Sequence, residues 1–358
     1  MNAISIRLGL LALVLGLPVA VSAAPKPATT WKEVPLEGEA EIFQALPAEF
    51  NGMQSNVAED AGGGAERGLH NKPHTTVRAA LTVVDGIPDP YRQGFFAKPG
   101  TYQTWVRFSN GRGNRGEDRQ PDLRGMAVKI LNAPGDNLNG EGSFDIVCNN
   151  FAAQPARNII QFMSFIRAQQ KSAILLPLRL ANDLGWAEAK RILSWAAANL
   201  GTRVTSLATT NFFTGVPLQY GPYACKIRLT ARNGEPPAAA GSSDRDYLRW
   251  DLWHRLTGGD LHWDVMVQLF VDETKTPIED ASVVWQEADA PYVKVAELTI
   301  SKRDMAGSAA AQEEATGNQL LWNPWNAPKE HRPLGNLMRA RQVVYPASGK
   351  FRGAVAPK

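Results

Sequence analysis

The sequence predicts an α+β protein in which one antiparallel β-sheet closes on itself as a barrel, with helices around it. Two observations support this prediction. Runs rich in β-forming residues, each bounded by turn residues, lie both before and after a helical stretch in the middle of the chain. One sheet that contains the strands from both sides explains this order better than two successive domains do. The chain has 358 residues, of which 44% are hydrophobic and 20% charged, which is enough apolar material for a sizeable core.

Residues 1–23 have the composition of a secretory signal peptide. One positive charge precedes an apolar stretch from Leu8 to Val21, and small residues follow it. This pattern predicts cleavage after Ala23 or Ala24. A membrane anchor is the weaker alternative, because the apolar run is shorter than the roughly 20 residues that a span needs. We therefore expect a periplasmic or secreted protein with no membrane span after cleavage.

The rest of the chain is expected to form an N-terminal arm, residues 24–64, and one domain, residues 65–358. The arm is rich in Pro, Ala, Glu and Gly. Within the domain, strands are predicted at 75–84, 102–110, 124–131, 144–149, 223–231, 263–271, 281–285 and 292–301. Helices are predicted to begin near 159 and to cover 186–200, 246–256 and about 336–352.

The last of these helices carries several functional candidates on one face. Its spacing of three and four residues aligns Met338, Arg341, Tyr345, Ser348 and Arg352. Asn336 is the expected N-cap. Pro346 is expected to bend or interrupt the helix, because proline lacks a backbone donor.

Composition excludes several functional classes. The formal net charge is +3 and the basic residues are scattered, so nucleic-acid binding is not indicated. Cys148 and Cys225 have no zinc-type spacing, and the sequence leaves open whether they pair or are buried thiols. No internal repeat of the solenoid or propeller kind is present.

Five motifs follow one another in a recognisable order. They are RGLHNKPH at 67–74, WVRFSN at 105–110, DLRGMAVK at 122–129, FDIVCNN at 144–150 and RQVVYP at 341–346. In this order and at similar spacing they resemble the motifs of the catalase family. The resemblance covers about residues 67–352 and implies a closed eight-stranded antiparallel barrel that holds haem. No Cys-x-x-Cys-His motif is present, so the expected cofactor is a non-covalent haem b.

The resemblance assigns a role to each matching position. Tyr345 would be the axial ligand of the haem iron, and Arg341 would supply the nearby positive charge that favours a phenolate ligand. His70 would be the distal general acid–base, Asn149 would orient the peroxide, with Asn150 as the alternative, and Ser109 would support His70. Arg67, Arg107 and Arg352 would hold the haem propionates, and Phe162 would be a distal-side aromatic. The alternatives are surface salt bridges for the arginines, a loop residue for His70 and a core residue for Phe162.

Three features depart from the large enzymes of the family. The family's Thr-Pro-x-Phe-Phe is replaced by FAAQP at 151–155, so two distal aromatics are missing, and Cys148 stands where the family has glycine. Because the sequence ends soon after the expected ligand helix, the helical domain that follows this helix in large catalases is not expected. His74 has a counterpart in small catalase-related peroxidases, and its role stays open.

The functional expectation is an exported, catalase-related haem peroxidase active in the response to oxidative stress. It would decompose hydrogen peroxide or organic peroxides through a ferryl haem, with a small reducing substrate as a further partner. The alternatives are a fatty-acid hydroperoxide isomerase or lyase on the same site, and a non-catalytic haem-binding protein. The family resemblance also implies a homo-oligomer.

Overall fold

The computed structural model describes residues 26–60, 63, 66–171, 174–234 and 244–356. The predicted signal peptide lies outside these residues. The strands are β1 (Pro73–Val83), β2 (Gly100–Asn110), β3 (Arg124–Ile130), β4 (Phe144–Asn149), β5 (Phe212–Phe213), β6 (Leu218–Tyr220), β7 (Tyr223–Ala231), β8 (Leu261–Leu269) and β9 (Tyr292–Ile300). The helices are α1 (Glu39–Asp60), α2 (Ile159–Lys171), α3 (Leu176–Leu184), α4 (Trp186–Leu200), α5 (Tyr247–Gly258), α6 (Ser308–Gln319) and α7 (Asn336–Phe351).

The sheet closes into a barrel of eight antiparallel strands. The strands run in the order β5, β4, β3, β2, β1, β9, β8, β7, and β5 pairs with β7 as well as with β4, which completes the ring. Among the described strands, the short strand β6 pairs with β7 alone. The predicted closed eight-stranded barrel is therefore confirmed.

Large side chains fill the barrel interior. Phe108 of β2, Phe212 of β5 and Trp263 of β8 are fully buried. The ring centroid of Phe108 lies 6.0 Å from that of Phe212 and 5.7 Å from that of Trp263. These three strands are not neighbours in the sheet, so the contacts cross the barrel. The interior is a packed core and not a pore.

The predicted strand at 281–285 is wrong. These residues form a loop in which the Ser282 backbone N–H donates to the Asp280 side chain at 2.9 Å. The loop covers the outer face of the barrel, where its backbone carbonyls accept hydrogen bonds from Lys226 of β7 and Gln268 of β8. The β-forming residues Val283 and Val284 favoured a strand, but this segment packs on the sheet without pairing with any described strand.

Two details of α7 also differ from the prediction. Asn336 is the first helical residue, and the N-cap is Gly335, whose φ of 84° suits glycine. The Asn336 side chain instead accepts from the Ile159 N–H at 2.7 Å and donates to Glu39 at 2.7 Å, which joins α7 to α2 and α1. Pro346 does not interrupt α7, which continues to Phe351.

The helices α1, α3 and α6 and the short strands β5 and β6 were not predicted from the sequence. Cys148 and Cys225 are both buried free thiols. Among the described residues, no helix is long and apolar enough to cross a membrane.

Candidate functional site

A cavity of about 270 Å³ lies between one side of the barrel and α7. All nine candidate residues from the sequence line it: Arg67, His70, Arg107, Ser109, Asn149, Phe162, Arg341, Tyr345 and Arg352. The side with His70 and Asn149 is called the distal wall here, and the side formed by α7 is called the ligand wall. Residues separated by up to 285 positions along the chain therefore share one chamber.

His70 is held on the distal wall by its backbone and by its ring. Its φ is 55°, a left-handed conformation that is uncommon for a residue with a side chain. The His70 N–H donates to the Gly111 carbonyl at 2.8 Å, and the His70 carbonyl accepts from Arg107 at 2.9 Å. The ring Nδ1 lies 3.1 Å from the Ser109 hydroxyl. These contacts fix the ring and leave Nε2 as its other proton-exchanging atom.

Gly125 of β3 is needed for this position of the His70 ring. A β-carbon on Gly125 would lie 2.6 Å from His70 Nδ1 and 3.0 Å from the Ser109 hydroxyl. Both distances are shorter than ordinary contacts. The third motif therefore needs glycine at position 125, because any larger residue would overlap the His70 ring.

The surroundings of His70 favour its neutral form. Burial is the main cause, and the positive charges of Arg107, Arg341 and Arg67 add to it, so that the pKa of His70 falls to about 3. A neutral imidazole can accept a proton at neutral pH.

Asn149, and not Asn150, faces the cavity. The Asn149 side-chain carbonyl accepts from the Phe151 N–H at 2.8 Å, and its amide nitrogen lies 3.5 Å from Gln154 Oε1. The Asn150 side chain instead accepts from the Arg124 N–H at 2.7 Å, next to β3. Only Asn149 of the two is among the cavity-lining residues.

The ligand wall is one face of α7. Arg341, Val344, Tyr345 and Ser348 contribute to the lining. Arg341 donates to the sulfur of Met338 at 3.4 Å, which directs its guanidinium along the same face. In the described part of the chain, the Tyr345 hydroxyl has no hydrogen-bond partner. Its phenol oxygen is available for a ligand in the cavity.

Three arginines meet at the edge of the cavity around Asn318. Arg67 donates to the Asn318 backbone carbonyl at 3.0 Å, Arg107 to its side-chain carbonyl at 3.3 Å, and Arg352 to its backbone carbonyl at 3.4 Å. Within the described ranges, none of the three has a carboxylate at salt-bridge distance. Burial and mutual repulsion lower the pKa of Arg107 to about 9, and burial lowers that of Arg352 to about 10.

This arrangement fits a haem. Partly desolvated guanidinium groups without acidic partners are costly unless an anion joins them, and two propionates would be suitable anions. Apolar side chains such as Phe162, Ile159 and Leu337 would contact the ring system. Asn318 is the residue that the sequence analysis missed, because it lies at the end of the unpredicted helix α6 and carries no motif.

His74 lies outside the cavity lining. Its Nε2 is 2.8 Å from the Asn110 side-chain carbonyl, and its Nδ1 is 3.8 Å from Asp118. Asp118 also accepts from Lys72 at 2.6 Å and from the Leu248 N–H at 3.0 Å. This buried network connects the start of β1 with α5, so His74 has a structural place behind the distal wall.

The fold and the cavity together define a closed-barrel protein with a chamber suited to a large cofactor. A family model described as Catalase matches residues 63–176. Catalase A of Pseudomonas putida is 23% identical over 278 residues, which cover 70% of this chain and 54% of that protein. The mouse protein named Catalase is 25% identical over 271 residues, covering 69% of this chain and 48% of the relative.

Solved structures agree with these sequence matches at the level of the fold. A fungal catalase aligns with a TM-score of 0.65 and 19% identity, covering 99% of this chain and 71% of that chain. Catalase A from Saccharomyces cerevisiae aligns with a TM-score of 0.64 and 17% identity, covering 96% and 70%. Residues 63–176 thus resemble the catalase family in sequence, and the chain shares the fold of these solved catalases. It spans about half the length of the curated relatives that it matches.

Proposed function

We propose that the chain is a haem-dependent oxidoreductase of the catalase-related peroxidase kind that decomposes hydrogen peroxide or organic peroxides. One observation carries this proposal: His70 and Asn149, from the barrel side, line the same cavity as Tyr345 of α7. The arginine cluster around Asn318 supports a non-covalent haem b, because its charges need anionic partners.

A bound haem would supply the redox-active iron that provides electrons for cleavage of the O–O bond. The residues of the chain would move the proton and hold the substrate. Neutral His70 would accept a proton from one peroxide oxygen and return it to the other, which leaves as water. A second hydrogen peroxide would be the reductant, so that two peroxide molecules give two waters and one O2 overall. Ser109 keeps the His70 ring in place, and the Asn149 amide donates a hydrogen bond to the peroxide. Tyr345 would hold the cofactor, and Arg341, one helical turn earlier on α7, would place a positive charge near it.

A second candidate function is the isomerisation or cleavage of fatty-acid hydroperoxides. The cavity favours it in one respect, because its lining includes the apolar side chains of Leu123, Phe165, Trp195 and Leu200. Such a wall suits a long apolar substituent. This reaction would use Tyr345 and His70 without an external reductant.

The test is oxygen evolution after adding hydrogen peroxide to the purified, haem-loaded protein, with an absorption spectrum of the same sample. We expect His70→Ala to lose turnover by about 100-fold or more and to keep its haem. His262→Ala is the control, because His262 lies on β8 outside the cavity lining. Equal turnover in His70→Ala and wild type would favour a non-catalytic haem-binding protein. Turnover of fatty-acid hydroperoxides without oxygen release would favour the isomerase.

The chain is also proposed to act outside the cytoplasm, in the periplasm or after secretion. This rests on the composition of residues 1–23. Mass spectrometry of the protein purified from its host should give a mature chain that begins at Ala24 or Pro25. An intact Met1 or Asn2 terminus would contradict the proposal.

A further inference from the structure

Four of the ten large apolar side chains that are exposed in the described residues lie within one short stretch. They are Ile174, Leu175, Leu178 and Trp186, with exposed fractions between 43% and 89%, and they are called the apolar face here. Leu175 is three residues before Leu178 and its backbone is already helical, so these two side chains are neighbours on α3. Ile174 directly precedes them, and Trp186 begins α4. Single exposed apolar residues are ordinary on a protein surface, but a group of them indicates a partner.

The protein core does not need the apolar face. A different side of α3 is buried: Leu180 is fully buried, and Leu176, Ala181 and Leu184 pack against the core. Leu178 is two residues away from both Leu176 and Leu180, so it lies on the opposite side of the helix. A surface helix usually has polar residues on that side. Packing within the chain therefore does not explain these exposed side chains.

The helices that carry and support the apolar face are rich in basic residues. Residues 157–203 contain seven Lys and Arg residues and two acidic residues, whereas the formal net charge of the whole chain is +3. Arg157 pairs with Asp280 and Arg167 with Glu49, which are acidic residues from outside this segment. An excess of three positive charges still remains. Positive charge beside exposed apolar side chains is complementary to a membrane surface that contains anionic lipids.

The helices next to the apolar face also line the cavity. Phe165 and Gln169 of α2 contribute to the lining, as do Trp195 and Leu200 of α4. The helix α3 packs on both α2 and α4. A partner that binds the apolar face would therefore lie on the same side of the protein as these lining residues.

We propose that the apolar face docks on the surface of a lipid bilayer that contains anionic lipids. The helix α3 has nine residues and is too short to cross a bilayer, so it lies along the interface with its apolar side chains inserted. The indole of Trp186 suits this depth, because its ring is apolar and its N–H is polar. This docking involves neither haem nor peroxide, so it can fail while the proposed function holds, and the reverse.

The test is cosedimentation with phosphatidylcholine vesicles that contain about 30% phosphatidylglycerol. It uses the mature chain expected after cleavage, because the apolar stretch from Leu8 to Val21 would itself bind lipid. In the double variant Ile174→Ser/Leu178→Ser the partition coefficient should fall about tenfold, because two apolar side chains no longer enter the bilayer. Trp186→Ser should lower it about fivefold. Vesicles of pure phosphatidylcholine should bind the wild type about fivefold more weakly.

Val284→Ser is the control, because Val284 is 42% exposed in the loop at 281–285. Its partition coefficient should stay within about twofold of wild type. Equal vesicle binding by the wild type and the double variant, or no binding by either, would overturn the proposal. Light scattering without lipid examines the other occupant of such a face. A wild-type oligomer that the double variant dissociates, together with no vesicle binding, would show that a second copy of the chain covers the apolar face.

Discussion

The distal wall takes its side chains from several elements, whereas the ligand wall takes them from one helix. His70 precedes β1, Ser109 is the next-to-last residue of β2, Gly125 is on β3 and Asn149 ends β4. The side chains of the ligand wall instead recur every three or four residues along the single helix α7. A wall built from separate strands depends on the register of the whole sheet, and a wall built from one helix depends on how that helix is anchored.

The anchor of α7 is a cluster of carboxylates around Arg339. Glu33 of the N-terminal segment, Glu39 of α1 and Glu279 each pair with this guanidinium. Glu33 also accepts from the Gly335 N–H at 2.8 Å, at the start of the helix. The ligand wall is therefore positioned by charge–charge contacts at its N-terminal end, while the distal wall is positioned by close packing and backbone hydrogen bonds.

Removing the proposed ligand should have the largest effect. In Tyr345→Phe the phenol oxygen is lost, so we expect haem content to fall from about one per chain toward zero, with an altered spectrum for any haem that remains. The ratio of haem absorbance to protein absorbance measures this. Tyr102→Phe is the matched control, because Tyr102 lies on β2 outside the cavity lining. An unchanged spectrum at full haem content would show that Tyr345 is not the ligand.

Gly125→Ala should lower peroxide turnover through the distal wall and leave haem binding by the ligand wall unchanged. The added methyl group would overlap the His70 ring, and a displacement of about 1 Å is enough to lower turnover about 100-fold. Haem content should stay close to that of wild type. Gly52→Ala in α1 is the control, because a β-carbon there meets no atom within 4 Å. Full peroxide turnover in Gly125→Ala would remove the steric role of this glycine.

Lowering the pH should affect the two walls differently, and this effect should be smaller than those of the two substitutions. His70 stays neutral until the pH approaches about 3, so turnover should change less than about twofold between pH 8 and pH 5. Burial opposes ionisation of Glu33, but hydrogen bonds from Gly335, Arg332 and Arg339 outweigh it and lower the pKa of this carboxyl. A lowered carboxyl pKa gives stability that is present above about pH 4.5 and is lost as the pH falls further.

The measurement is haem release and thermal unfolding as functions of pH. We expect the melting temperature to drop below about pH 4.5 in wild type and to depend less on pH in Glu33→Gln, which should also melt a few degrees lower at neutral pH. A turnover that already falls near pH 6.5 would instead indicate that His70 titrates at its ordinary value.

Sequence patterns identified most strands, because β1 to β4, β7, β8 and β9 are rich in β-forming residues and are bounded by turn residues. They failed at 281–285, where β-forming residues lie in a loop that packs on the sheet, and at β5, which has only two residues. The nine candidate site residues came from the resemblance to a known family, and they line one cavity. Asn318, Gly125 and Arg339 received no role in this way, although Gly125 lies in a motif, because their importance depends on contacts between elements that are distant in sequence.

The two-residue strand β5 places the weakest joint of the barrel next to the peroxide side of the cavity. Ten residue pairs join β1 to β2, but a single pair, Asn149 with Phe213, joins β4 to β5. Local opening follows the path of fewest hydrogen bonds. Backbone hydrogen exchange should therefore be fastest at the pairing of β4 with β5. Asn149, the residue proposed to orient the peroxide, belongs to this pairing and so lies in the part of the barrel that opens most readily.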